Sequence, residues 1–205
     1  MLLNNLKNMI NDKIKGVGLV GLIAIALVVL GLALLNTSKT SEQEQKAITT
    51  TNNLIGKPLP DLQLRDKTGN VYDLSSLKGK NAVLFFNEGL MCYPACWDQM
   101  AAFGTDNRFN SDDIVALSVV ADSAADWQKA IDKMPDLAKV TTLFDQDAIF
   151  SRQLGIVSMG SSMHAGQLPG HTYIMIDKQG IVRDVSDDAN MAINNDKLFE
   201  MISKY

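Results

Sequence analysis

Five consecutive apolar residues, Ala82-Val83-Leu84-Phe85-Phe86, set the tightest limit on the fold. The run has no polar alternation and is too short to be a helix in its own right. It reads as a strand covered on both faces, and such a strand needs a layer above it and a layer below. Ile114 to Val120 and Val140 to Phe144 are two more apolar runs of this kind. Between and after them lie helical stretches: one after Cys96 reaching about Phe103, one from Ala124 to Met134 stopped by Pro135, and one from Gln146 to Leu154 ending at Gly155. Leu62 to Leu64 and Val71 to Leu74 flank the turn residues Asp66-Lys67-Thr68-Gly69-Asn70, a hairpin signal. Thr172 to Ile176 and Ile181 to Val185, joined by Asp177-Lys178-Gln179-Gly180, are a second hairpin. Leu198, Met201, Ile202 and Tyr205 fall at i, i+3, i+4 and i+7 and give the last helix one apolar face. The order predicts an α/β domain over residues 55–205, a central mixed β-sheet flanked by helices, led in by Gly56-Lys57-Pro58-Leu59-Pro60.

The N-terminal part obeys different physics. From Val17 to Leu35 there is no charged or strongly polar side chain. At 1.5 Å per residue the run reaches just under the roughly 30 Å of a bilayer core. Lys7, Lys13 and Lys15 precede it against one acid, Asp12. That lysine excess predicts a cytoplasmic tail over 1–15, a transmembrane helix over 16–35 and an exported C-terminal part. The run is longer than a signal peptide's apolar region, and Leu34-Leu35-Asn36-Thr37 has no small-x-small cleavage pattern. Residues 36–54, polar and threonine-rich, read as a linker. The expected localisation is therefore the cell membrane, single-pass, with the domain extracytoplasmic. A formal net charge of −4 and the lack of a basic stretch beside aromatics give no basis for nucleic acid binding.

Only two cysteines occur, Cys92 and Cys96, four positions apart and directly after the central strand. Pro94 suits the first position of a helix, which puts Cys92 at or just before the helix start and Cys96 about one turn on. Both sulfurs then lie on one face, near enough to bridge. The free N–H groups and dipole at a helix N-terminus favour thiolate, the attacking form in disulfide exchange and peroxide reduction. Two other uses remain open: an inert bridge, which would close only a short loop and restrain the unfolded chain little, and metal binding.

From about Leu54 to Tyr205 the chain resembles the peroxiredoxin-like redoxin family (alkyl hydroperoxide reductase and thiol-specific antioxidant type) of the thioredoxin superfamily. The matching pieces are Gly56 to Asp61, Val83 to Gly89, Cys92 to Gln99, Leu143 to Asp147 and Pro169 to Gly180. The resemblance implies a thioredoxin-like fold and catalytic Cys92 and Cys96. It also implies no cofactor, protein thiols, disulfides or hydroperoxides as substrates, and a reductant it does not identify. Three departures stand out. The threonine found three residues before a peroxide-attacking cysteine is replaced by Gly89, or by Tyr93 counting from Cys96. The arginine beside the late strand is missing at Thr172, with Arg152 and Arg183 the nearest substitutes. His171 stands where thioredoxins have proline, and three residues rather than two separate the cysteines.

That wider gap resembles a second branch, the Sco-type copper chaperones, in which two thiolates and a histidine bind copper. Here the ligands would be Cys92, Cys96 and His171, with His164 as a spare and Met159 and Met163 nearby. The expectation adopted is a membrane-anchored thiol-disulfide oxidoreductase or thiol-dependent peroxidase, the copper chaperone being the alternative. In exchange Cys92 attacks and Cys96 resolves; for a peroxidase either register is open. Glu88 is a candidate proton acceptor, and Tyr93 with Trp97 a candidate apolar lip for a partner.

Overall fold

Asn81–Asn87 forms β3, and every residue in it is buried, as its unbroken apolar run requires. The computed structural model describes residues 51–205 apart from Leu62 and Lys78. The expected tail and transmembrane helix, and all but the end of the linker, lie outside the described residues. Among the described residues no helix is long and apolar enough to cross a membrane.

Seven strands make one mixed sheet in the order β2-β1-β5-β4-β3-β6-β7. The strands are β1 Gln63–Asp66, β2 Val71–Asp73, β4 Ile114–Val120, β5 Thr141–Phe144, β6 Thr172–Ile176 and β7 Val182–Asp187. β3 runs parallel to β4, which runs parallel to β5. β6 lies antiparallel on the other side of β3, and β7 antiparallel to β6. This is a thioredoxin-like α/β fold with helices α1 Ala95–Thr105, α2 Ala124–Lys133, α3 Ile149–Gln153 and α4 Asn195–Ile202.

Side chains alternate across a strand, so each strand serves two cores. Val83 and Phe85 join Tyr173, Met175, Ala116 and the helical residues Met100, Phe103, Trp127, Leu198 and Ile202 on one face. Ala82, Leu84 and Phe86 join Leu117, Val119, Ile174, Ile176, Leu154 and Ile156 on the other. Both cysteines belong to the first core.

Two segments differ from the sequence expectation. The helix expected over 146–154 is a 3-10 turn, Gln146–Ala148, followed by the short α3, with Asp147 and Ala148 at positive φ. The buried Asp145 carboxylate causes the break: it accepts the N–H groups of Phe150 and Ser151 and the Ser151 hydroxyl, and so caps the chain at Ile149 rather than at 146. At the C-terminus α4 stops at Ile202, and Tyr205 lies beyond it, half exposed beneath the Arg183 guanidinium.

Candidate active site

The loop leaving β3 is clamped before it reaches the first cysteine. Asn87 Oδ1 accepts the Gly89 N–H at 2.9 Å, and Asp122 Oδ2 accepts the Leu90 N–H at 3.0 Å. The Gly89 carbonyl accepts Trp97 Nε1–H at 3.0 Å. Gly89 has φ +59°, and a Cβ built there would overlap the Asp122 carboxylate. A separate 3-10 turn, Gly89–Cys92, results. Tyr93 is extended, as a residue before proline prefers, Pro94 is the N-cap, and α1 begins at Ala95. Cys92 therefore ends the preceding turn, just before the helix, and Cys96 sits in the first turn of the helix.

Cys92 and Cys96 are joined as a disulfide with a Cα–Cα separation of 5.4 Å. Cys96 is 0% exposed and Cys92 3%, so solvent reaches only Cys92, and barely. No side chain caps α1, leaving its first-turn N–H groups and dipole to favour negative charge on sulfur. The expected lip splits in two. Tyr93 is exposed, its ring edge-on to Trp97 at 4.9 Å with Lys133 Nζ 3.6 Å from its centroid, whereas Trp97 is core.

His171 reaches the pair from the start of β6. Its ring is fully buried, with Nδ1 3.7 Å from Cys96 Sγ and Nε2 2.7 Å from the Tyr173 hydroxyl. Burial pushes its pKa down to about 4, although the nearby Asp188 and Asp187 carboxylates pull it up. Burial also pushes the Tyr173 phenol up, so it keeps its proton. Tyr173 donates to Gln99 Oε1 at 3.1 Å, and that oxygen accepts the Asn194 N–H at 2.8 Å. Gln99, Tyr173 and Asn194 were not singled out from sequence, though a signal existed for two of them. Gln99 lies three residues after Cys96 on one helix face, and Tyr173 two after His171 on one strand face.

The remaining candidates do not join this cluster. Glu88 is buried, but it already accepts from Ser162 Oγ at 3.0 Å and His164 N at 2.9 Å, and its other oxygen lies 2.9 Å from His164 Nδ1. His164 is thereby tied to Glu88 instead of to sulfur. Arg183 Nε pairs with Asp177 at 2.6 Å, and Arg152 bonds the Asp147 carbonyl. Met159 is buried and Met163 exposed. Among the described residues, Cys92, Cys96 and His171 do form a group whose possible ligand atoms lie within 4.8 Å of one another. Such a set suits a soft metal only as the dithiol, because in the disulfide neither sulfur is a thiolate.

The sequence signature of the Redoxin family matches residues 54–198. The chain belongs to the Redoxin family. No curated protein matches its sequence. Solved structures similar to this Redoxin include the mitochondrial 2-Cys peroxiredoxin of Plasmodium falciparum, 21% identical, covering 74% of this chain and 93% of that one, with a TM-score of 0.59. Peroxidoxin BcpB of Mycobacterium tuberculosis is 22% identical, covering 73% of this chain and 96% of that one, with a TM-score of 0.56. The exposed lipoprotein thioredoxin Etrx1 of Streptococcus pneumoniae is 20% identical, covering 71% and 100%, with a TM-score of 0.52. At these identities the likeness shows the fold. Redoxin chemistry runs on cysteine sulfur without a cofactor.

Proposed function

We propose that this Redoxin is a thiol-disulfide oxidoreductase in which Cys92 attacks and Cys96 resolves, held at the outer face of a cell membrane by residues 16–35. The observation that carries the reading is the closed Cys92–Cys96 bridge leading into α1, with Cys96 0% exposed and Cys92, at 3%, the nearer of the two to solvent. A sealed sulfur cannot meet an outside substrate, but it is placed to release a partner caught on its neighbour. Exchange is preferred to peroxide reduction because Gly89 offers no hydroxyl and has no room for one. Arg152 and Arg183 are both engaged elsewhere.

The test equilibrates the protein with glutathione buffers and counts free thiols by alkylation. Two thiols should appear and vanish together at one potential, and the reduced protein should transfer electrons to a protein disulfide. Cys92→Ser should abolish transfer, while Cys96→Ser should accumulate a mixed disulfide on Cys92. Turnover of hydrogen peroxide with no transfer to disulfides would favour the peroxidase. Tight binding of one copper(I) by the reduced chain, without either turnover, would sink both.

A further inference from the structure

The Asn194 backbone N–H can only donate, so the Gln99 atom that meets it, 2.8 Å away, is the amide oxygen. That oxygen cannot donate, so the Tyr173 hydroxyl gives it its only proton, at 3.1 Å. The phenol oxygen must then accept from His171, 2.7 Å away, which places the imidazole hydrogen on Nε2. In the neutral ring the opposite nitrogen, Nδ1, then holds the lone pair, 3.7 Å from the sulfur of Cys96, and the Ala192 backbone hydrogen-bonds the ring as well.

We propose that His171 Nδ1 is the base that takes the thiol proton of Cys96 when Cys96 resolves a mixed disulfide, with Tyr173 and Gln99 holding the ring in the required tautomer. The proposal rests on the exchange reading above. Its step balances as follows. A partner sulfur is bonded to Cys92, and Cys96 is a thiol. Its proton passes to Nδ1 as Cys96 sulfur attacks Cys92 sulfur. The Cys92–Cys96 bond forms, the Cys92–partner bond breaks, and the partner leaves as a thiolate carrying the electron pair. The pair has been oxidised from dithiol to disulfide and the partner disulfide reduced. The imidazolium then loses its proton to the thiolate or to water. In reverse it protonates Cys96 as the leaving sulfur.

A sealed sulfur needs such a group. Cys96 is 0% exposed in the closed bridge, so bulk solvent does not touch it there, and a bare thiolate in such a place would be poorly solvated. The other groups around the ring do not compete for the role. The Tyr173 phenol stays protonated. Asp187 is bonded by Ser161 and by Thr172 Oγ1, the latter at 3.1 Å. Asp188 accepts from the Asn190 and Ala192 N–H groups, both at 3.0 Å, and from Asn194 Nδ2 at 2.7 Å.

The full chain in detergent, reduced and mixed with the dithiobis-nitrobenzoate reagent, separates the two steps. The first coloured thiolate leaves when Cys92 attacks, and the second leaves when Cys96 resolves. A wild-type chain giving no second release would defeat the exchange reading itself. Given two releases, His171→Phe should slow the second by about 10-fold, short of the roughly 10²-fold of a base matched to the working pH, because burial holds the ring's pKa down to about 4. The wild-type second rate should be flat from pH 6 to 8, whereas the variant's should climb with pH, because it must wait for thiolate. Tyr173→Phe should slow the second release less, since it frees the tautomer without removing the base. Nitrogen NMR of the oxidised wild type, which needs no variant to fold, should show hydrogen on Nε2 and none on Nδ1. Equal second-release rates in wild type and His171→Phe would overturn the proposal, and so would a ring protonated at Nδ1.

Discussion

Gly89 shows how one missing side chain shapes the site. Its φ of +59° is one that a β-branched residue strongly resists, and the Asp122 carboxylate fills the space where a Cβ would go. Gly89→Thr, which would restore the family's hydroxyl, should therefore cost about 2 kcal/mol or more, read as a lowered urea midpoint with unchanged slope. Adding Asp122→Gly should recover part of it. His171 supplies a prediction of opposite character, in pH. Its pKa is held at about 4 in the fold against an ordinary 6.5, so below pH 6.5 the unfolded chain binds a proton that the native chain refuses. Stability of the oxidised protein should be full above pH 6.5 and fall as pH drops toward 4. The loss from this residue alone is at most ~3 kcal/mol. The wild-type minus His171→Phe difference in urea unfolding between pH 7 and 4.5 isolates it. The sequence made His171 conspicuous because it stands where thioredoxins have proline, directly before the late strand. Its spacing to Tyr173, and that of Gln99 to Cys96, put these residues on the right faces, but only the placed ring shows that they bond Nε2 and one another.

At the scale of elements, residue type decided most boundaries, and side chains acting at a distance decided the exceptions. β3 and β4 followed from apolar runs, and the end of α2 from Pro135, with Met134 as its C-cap. The break at 147–148 was not legible, because it comes from a carboxylate bonded five and six residues ahead rather than from a glycine or proline. Asp145→Ala should leave buried N–H groups without an acceptor and cost about 2–4 kcal/mol. Hydrogen exchange should speed up first in α3 and only later in the sheet. The start of α1 was legible to within a residue. Pro94 alone suggested a helix beginning one residue earlier, but the turn closed by Gly89 and Asp122 keeps Cys92 out of it.

For the whole molecule, the layered α/β class was readable from alternation of runs, but strand order was not. β1 lies against β5, far along the chain, and nothing local to Gln63–Asp66 announces that neighbour. The proposed anchoring makes its own prediction at this scale. Protease added to spheroplasts should digest residues 55–205 and spare the N-terminal tail, whereas a soluble mature chain starting near Asn36 would identify the run before it as a cleaved signal. The sheet itself has a further consequence. Neighbouring residues of β3 belong to different cores, Phe85 touching His171 and Tyr173 and Phe86 facing the opposite layer. The sheet thus works as a partition wall with the chemistry on one side. Substitutions such as Leu84→Ala should erode stability and leave the electron affinity of the sulfur pair alone, while Phe85→Ala should disturb both. Such a chain is free to drift, or to be hardened, on its far side without being retuned on its near one.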